Sequence, residues 1–498
     1  MSPRRCMIPA LSLAVTVVAA ASLSAQTVTN VQYVNGLAVP GNTEGLAGMN
    51  STYNRLGMFS DIYYDRNRDE WWGVADRGPG GGVLSYDTRI ERFTLTVNGT
   101  TGAISNFAVA QTVLLKSAGV PLNGLAPNPV GTLGNSLDPE GLVVNPLTGN
   151  FLISDEYGPS LLEFDRAGNL LRRFAVPNNL VPMAGSSINY TALPVPANVG
   201  NPTLTAGREL NRGYEGLAIS PDGRFAYAML QNGTIGDGYN TSTSTRGLYT
   251  RIVKYDIATG VEAGQYAYKL ESSGQGRGIS ALVALGNDKF LVLERNNRGV
   301  GVGATLSGAD KNVFEIDLSP ATDITAVNLP ASGNLPSGTI PVTKVASKII
   351  DLDLNTLAAL GNKAPEKLEG LAIGPKLANG RYMILTGTDN DFSVTQNGMG
   401  TQFDVYFDFT KSDPYAASIQ CPIGSTVGCF TTATANNAIP TDADPAGYAL
   451  LPGVLQSYSA DINGFVPVVT PEPATLVLLV SGLGLVGFVA RRRTHASR

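Results

Sequence analysis

The sequence predicts an all-β chain, built from a repeated pair of strands and carrying an apolar helix at each end. Three observations lead there. Charged residues are only 15% of the 498 positions, while Gly (57) and Pro (30) are frequent, which suits an extracellular fold with many turns. A pattern of polar start, short strand, turn and apolar strand recurs through the middle of the chain. Both ends carry apolar runs without charge.

The N-terminal run reads as a secretory signal over residues 1–25. Arg4 and Arg5 supply its positive start, positions 8–23 are apolar, and the small residues Ser22, Ser24 and Ala25 mark a cleavage region. An uncut membrane anchor is the alternative, against which the short apolar core argues. The C-terminal segment, 466–498, has a different order. Pro471-Glu472-Pro473 precedes an apolar stretch at 474–490 and then Arg491-Arg492-Arg493. Those 17 residues reach about 25 Å as a helix, close to the roughly 30 Å of a hydrocarbon core. The arginines hold that end on the cytoplasmic side, so residues 26–465 form an exported working domain.

That domain has no histidine, because the only one in the chain is His495. Serine–histidine and cysteine–histidine nucleophiles are excluded, as are histidine metal sites. A resident metal must be held by oxygen ligands, which points to calcium or magnesium. The net charge of −5 offers no basic surface for nucleic acid. Of the three cysteines, Cys6 leaves with the signal. Cys421 and Cys429 remain, either as a disulfide in an oxidising compartment or as two buried thiols.

The strand pairs come in order along the chain. The first is 60–65 and 71–77. The second starts at Glu140-Gly-Leu and ends at Asp155-Glu156. The third runs from Glu215-Gly-Leu to Gln231, the fourth from 279 to Glu294-Arg295, and the fifth from Glu369-Gly-Leu to Asp389 and Asp391. Further strands follow each pair: 82–86 with 91–97, 161–165 with 170–176, 251–256 with 264–270, 312–318 with 342–352, and 403–409. Four-stranded units repeated head to tail make a β-propeller of five to six blades, with strand 28–37 free to close the ring. A plain β-sandwich is the competing architecture.

In a propeller the start of each first strand and the end of each second strand meet at one rim near the axis. Glu140, Asp155, Glu156 and Glu215 are therefore the catalytic candidates. Asp76, Glu294, Glu369, Asp389 and Asp391 are candidate calcium ligands, since clustered carboxylates need a cation to neutralise them. Arg77, Arg212, Arg295 and Lys367 are candidates to hold an anionic substrate. Metal-bound water with a carboxylate base is the chemistry this set supports. The other reading is structural: acids at strand ends capping amides or pairing with arginines between blades. The long loops 177–210 and 232–246 are placed to cover the same face.

Two resemblances follow from these motifs. The order Pro-Glu-Pro, apolar stretch, arginine cluster resembles the PEP-CTERM sorting tail of Gram-negative bacteria. That resemblance implies an exosortase-type protease as processing partner, a transient membrane anchor and delivery to the cell surface; an ordinary C-terminal anchor is the other reading. Ser136-Leu-Asp-Pro-Glu140-Gly-Leu, Phe151-Leu-Ile-Ser-Asp-Glu-Tyr-Gly-Pro-Ser160, Asn211-Arg-Gly-Tyr-Glu-Gly-Leu and Leu291-Val-Leu-Glu-Arg295 resemble the phytase-like domain called "esterase-like activity of phytase". Lys367-Leu-Glu-Gly-Leu and Asp389-Asn-Asp-Phe392 fit it too. The resemblance runs from about residue 57 to 409 and implies a propeller with calcium-dependent hydrolysis of a small phosphoester or other ester. Carried over, Asp76, Glu140, Asp155, Glu156, Glu215, Glu294 and Glu369 match acidic positions of the family. Ser60-Asp61-Ile62 in the first pair and Gln231 in the third depart from its pattern. A non-catalytic surface propeller binding polysaccharide, protein or ions is the alternative function.

Overall fold

The computed structural model describes residues 26–47, 53–192, 203–238, 247–272, 274–330, 333–431 and 447–468. The signal helix expected at 1–25 and the membrane helix expected at 474–490 lie outside the described residues.

Among the described residues, five sheets are arranged as blades. Blade 1 has strands Asp61–Asp65, Glu70–Val74, Arg89–Val97 and Ile104–Leu114 from the inside outward. Blade 2 has Pro139–Val144, Phe151–Asp155, Ser160–Phe164 and Leu170–Arg173, and blade 3 has Tyr214–Ile219, Phe225–Leu230, Tyr249–Asp256 and Val261–Lys269. In blade 4, Gly278–Gly286, Lys289–Arg295 and Lys311–Asp317 are completed by two short pieces, Thr343–Lys344 and Ile350–Asp351. Blade 5 takes Leu368–Lys376, Tyr382–Thr388 and Gly453–Ile462, and its outer strand is Val28–Val39. The N-terminal strand thus pairs with the last strand of the domain and ties the ring shut, as the sequence had suggested.

Burial explains the sequence pattern of the strands. Phe151–Asp155 is buried throughout because neighbouring blades cover both faces, so its first three residues, Phe151-Leu-Ile153, are apolar without alternation. Ile104–Leu114 is an outer strand with solvent on one side, and its burial is interrupted along its length. Between blades 1 and 2 the indole of Trp72 meets the Phe151 ring edge-on at 4.8 Å. A fully buried side chain of this kind contributes about 1.5–3 kcal/mol from burial alone.

The five inner strands contact one another in a closed cycle, blades 1, 2, 3, 4, 5 and back to 1. The predicted five to six blades resolve to five. Their close approach accounts for the Glu-Gly-Leu starts. A Cβ on Gly141 would lie 2.6 Å from Cβ of Leu217 on the next inner strand, and one on Gly370 would lie 2.8 Å from Ile62 Cγ1. Each following leucine (Leu142, Leu217, Leu371) is buried in the core. The pairing register slips at each of these motifs: between Pro139 and Leu142, Tyr214 and Gly216, and Leu368 and Gly370. A bulge there re-aims the glutamate out of the sheet's alternation and toward the axis.

Two strand assignments from the sequence need correction. Residues 82–86 are not a strand. Pro79–Gly82 forms a tight helical turn with positive φ at Gly80 (72°) and Gly81 (64°), conformations that favour glycine over side-chain-bearing residues. The strand at Phe403–Phe407 belongs to a separate small sheet with Ile419–Pro422, Phe430–Thr431 and Ala449–Leu450. This sheet is inserted between the second and third strands of blade 5, so the third strand is Gly453–Ile462, further along the chain. Cys421 and Cys429 are joined in a disulfide inside it.

Candidate functional site

At the entry end of the inner strands the ring opens into a cavity of about 190 Å³ on the propeller axis. Its walls carry Asp76, Arg77, Glu140, Glu156, Arg212, Glu215, Arg295, Glu366, Lys367, Glu369, Asp389 and Asp391, with Asn211, Gln231, Asn297 and Gln396 between them. Eight carboxylates therefore face four cations in a single basin.

The charges are organised blade by blade. Arg77, after the second strand of blade 1, crosses to blade 2. Its Nη1 donates to Asp138 Oδ2 at 2.6 Å and to Asn211 Oδ1, and lies 3.4 Å from Glu156 Oε2. Its backbone N–H donates to Asp138 Oδ1 at 3.1 Å. Lys367 Nζ donates to Asp389 Oδ2 at 2.6 Å and Asp391 Oδ1 at 2.7 Å, and Gln396 Nε2 also reaches Asp391 at 2.6 Å. Arg295 is held by Ser280 Oγ at 3.0 Å and Asn297 Oδ1 at 2.8 Å and pairs with Glu369. Gln231 Nε2 donates to Glu215.

Burial makes these charges costly. It pushes Glu140 well above the usual carboxylate range, helped by the neighbouring negative charges of Glu215, Asp138 and Glu156. Glu215 is raised in the same way, by burial and then by Glu156 and Glu369. Asp76 is raised by burial and by Asp389. Asp138 is pushed up to about 7 because burial outweighs the attraction of Arg77, and Asp389 to about 7 because burial outweighs Lys367. Glu366 reaches about 7 through burial and the charge of Asp391. Burial opposes the charges of Arg77 and Lys367, yet their carboxylate partners win and raise both.

Two groups of buried carboxylates offer oxygens within 4.8 Å of one another: Asp138, Glu140 and Glu156, and Asp76, Asp389 and Asp391. They differ in fit to a cation. In the second group Lys367 already lies between Asp389 and Asp391. In the first, Arg77 pairs with Asp138 and approaches Glu156 Oε2, but among the described residues Glu156 Oε1 is buried without a hydrogen-bond partner, and the strongest charges acting on Glu140 are other carboxylates. Three hard oxygen donors, one of which carries an unsatisfied buried oxygen, suit calcium or magnesium.

Of the residues singled out from sequence, Glu140, Glu156, Glu215, Arg77, Arg212, Arg295, Lys367, Asp76, Glu369, Asp389 and Asp391 line the basin. Asp155 and Glu294 lie outside it. Asp155 Oδ1 accepts from the backbone of Asp138 (3.0 Å) and Tyr157 (3.2 Å), and Oδ2 from Gly158 N (2.9 Å) and Ser160 Oγ (2.6 Å). Glu294 accepts from Tyr268 OH at 2.9 Å, Glu271 N at 2.8 Å and Arg277 Nη1 at 3.1 Å. In each adjacent pair, Asp155-Glu156 and Glu294-Arg295, only the second side chain lines the basin, as strand alternation requires. Asp138, Glu366, Asn211 and Gln396 were missed. Asp138 sits inside the Ser136-Leu-Asp-Pro-Glu140 motif two residues before Glu140, and Asn211 adopts φ 55°, a left-handed conformation that asparagine tolerates. Beside them, Arg208 pins the described part of the 177–210 loop by donating to the carbonyls of Tyr157 at 2.9 Å and Thr191 at 3.0 Å.

Known proteins resemble the chain at both levels. Residues 54–392 match the phytase-like family described as esterase-like activity of phytase, and residues 469–493 match the PEP-CTERM protein-sorting motif. That motif implies processing by an exosortase-type enzyme and membrane association, and marks an exported, surface-targeted protein. An uncharacterized secreted protein of Arthroderma benhamiae is 28% identical over 228 residues, which is 38% of this chain and 44% of that protein, so the chain spans less than half of its relative's length. Among solved structures, the hydrazine synthase of Kuenenia stuttgartiensis is 12% identical, covering 69% of this chain and 79% of its own at a TM-score of 0.28. The Dos1 propeller is 10% identical, covering 82% and 69% at a TM-score of 0.27. The propeller assignment rests on the closed ring of inner strands. With more than half of its length matched by one family, and that family's motifs gathered around one axial basin, the chain belongs to the phytase-like family.

Proposed function

We propose that the basin is a calcium-dependent hydrolytic site for small phosphoesters or other esters, acting outside the cytoplasm. The observation that carries the reading is the approach of three buried carboxylates (Asp138, Glu140, Glu156), with Glu156 Oε1 unsatisfied, beside a polar cavity lined by Arg77, Arg212, Arg295 and Lys367. Calcium bound by that group supplies positive charge for anionic substrate oxygens. The guanidinium of Arg295, held by Ser280 and Asn297, presents a fixed fork to a phosphate or carboxylate. Glu215, oriented by Gln231 and raised by burial, takes or returns the proton at the reacting oxygen. Asp155 is a positioning residue: it holds the turn that carries Glu156 and the backbone of Asp138. Glu294 positions Arg277 rather than the substrate.

The test is turnover of a broad panel of phosphate and carboxylate esters by purified protein, with calcium and with a chelator. Activity that appears with calcium and falls at least about 100-fold in Glu140→Gln supports the reading. Calcium-saturated protein inert across the panel overturns it.

A second reading has its own support. Arg77, Arg295 and Lys367 are all already paired with carboxylates, which leaves the basin net acidic. Such a basin serves equally as a non-catalytic cation site on a surface propeller that binds polysaccharide or protein. Retention of the protein on cell-surface polysaccharide, without turnover, would favour it. In either case the apolar stretch at 474–490 anchors the chain in a Gram-negative inner membrane until an exosortase-type protease removes it.

A further inference from the structure

The last described residues are not a free tail. They return across the mouth of the central channel at the end opposite the acidic basin. Phe465 packs edge-on against Tyr382 at 5.0 Å, with the Arg66 guanidinium 5.2 Å from its ring centre. Arg66 Nη2 is itself fixed by the carbonyl of Ile373 at 2.7 Å. Val466 N–H donates to Leu285 O at 3.0 Å, and its side chain fills the space where Gly286 has no Cβ. Val468 packs against the core between blades 2 and 3. Phe465 and Val468 line the same apolar channel as Tyr63, Val143, Ile219 and Ile373, at the far ends of the inner strands.

We infer that the 465–468 segment is a built-in plug that sets which face of the propeller meets the membrane: the lower face lies against the lipid headgroups, and the acidic basin opens away from them. The inference rests on the reading of 474–490 as membrane-inserted before processing.

Reach decides the matter. From Val468 to Ala474 is six residues, at most about 20 Å even fully extended. To turn the basin toward the membrane, the chain would have to leave the channel mouth, cross the blade and climb its height. Four strands at about 4.8 Å spacing make that crossing about 15 Å, and an inner strand of six residues adds about 20 Å. The path of about 35 Å exceeds the tether, so the plug excludes any pose in which the basin faces the membrane. Substrates or partners therefore reach the basin from the aqueous side, and the membrane-facing surface is the ring of turns that includes residues 145–150.

The experiment uses the full chain in lipid vesicles, without the processing protease, and a quencher attached to lipid headgroups. Leu147→Cys labels a 52% exposed site on the lower turns, and Met399→Cys a 53% exposed site on the basin side. Several-fold stronger quenching at position 147 than at 399 is expected. Inserting a flexible Gly-Ser linker of about thirty residues after Val468 leaves the plug intact but lengthens the reach, and should bring the two sites to similar quenching. Equal or reversed quenching in the unmodified chain, with the protein floating with the vesicles, overturns the orientation alone. Failure to float overturns the membrane reading and the orientation with it.

Discussion

Arg77 and Asp138 form an ion pair of 2.6 Å across the boundary between blades 1 and 2, with side-chain exposures of 11% and 0%. The pair joins one wall of the basin to the next, and it holds Asp138 beside Glu140 and Glu156. Removing the cation leaves the buried charges of Asp138 and Glu156 without a compensating one, although the backbone N–H of residue 77 still reaches Asp138 Oδ1. Arg77→Met should therefore destabilise the metal-free protein by about 3–5 kcal/mol, seen as a lower urea midpoint. Excess calcium should recover part of that loss, because a cation in the Asp138–Glu140–Glu156 group replaces the missing charge.

Stability should fall as pH rises when calcium is absent. Asp138, Asp389 and Glu366 are each pushed up to about 7, whereas the unfolded chain titrates these groups near 4. Between those values the folded protein holds more protons than the unfolded one, so the contribution is complete below about pH 4 and is lost on the way through about 7. Thermal unfolding in a chelator should give a higher Tm at pH 5 than at pH 8. Calcium should narrow the gap by binding the deprotonated form.

The Glu-Gly-Leu glycines should not tolerate a methyl group. Gly141→Ala places Cβ 2.6 Å from Leu217 Cβ and Ser154 Oγ and 2.7 Å from Glu215 O. Overpacking of this kind costs about 1–3 kcal/mol and moves the backbone that aims Glu215. Gly99, with nothing within 4 Å of its added carbon, should accept alanine with little change. Denaturant unfolding of the two variants gives the comparison.

The two acidic groups should differ in calcium affinity. Glu140→Gln removes a donor from the group with the unsatisfied oxygen and should weaken calcium binding at least about tenfold by calorimetry. Asp391→Asn acts where Lys367 already supplies the positive charge, and should leave the tightest binding step almost unchanged. Equal losses in both variants would place the ion across the two groups.

Much of the architecture was legible from residue order because its causes are local. Alternation, turn residues and the repeated Glu-Gly-Leu starts are written within ten residues of one another, so blades 2, 3 and 4 and the closing strand at Val28–Val39 could be read directly, whereas the outer half of blade 1, with Ile104–Leu114 as its last strand, could not. The small sheet holding Cys421 and Cys429 defeated that reading. It interrupts blade 5 with strands of the same composition, and only pairing shows that Gly453–Ile462, not Phe403–Phe407, lies beside Tyr382–Thr388.

Sequence alone was sufficient to exclude histidine-based chemistry from the domain, since the only histidine in the chain lies at position 495. It also sufficed to bring the strand ends to one rim. Three-dimensional packing settled the rest. Five inner strands, not six, close the ring, because closure depends on how near neighbouring strands approach. Glu156 and Arg295 enter the basin while Asp155 and Glu294 stay outside it, because a bulge or a half-turn of the pleat reverses a side chain without changing its neighbours in sequence. Asp138 joined the site for the same reason: Arg77 reaches it from another blade, across 61 residues of chain.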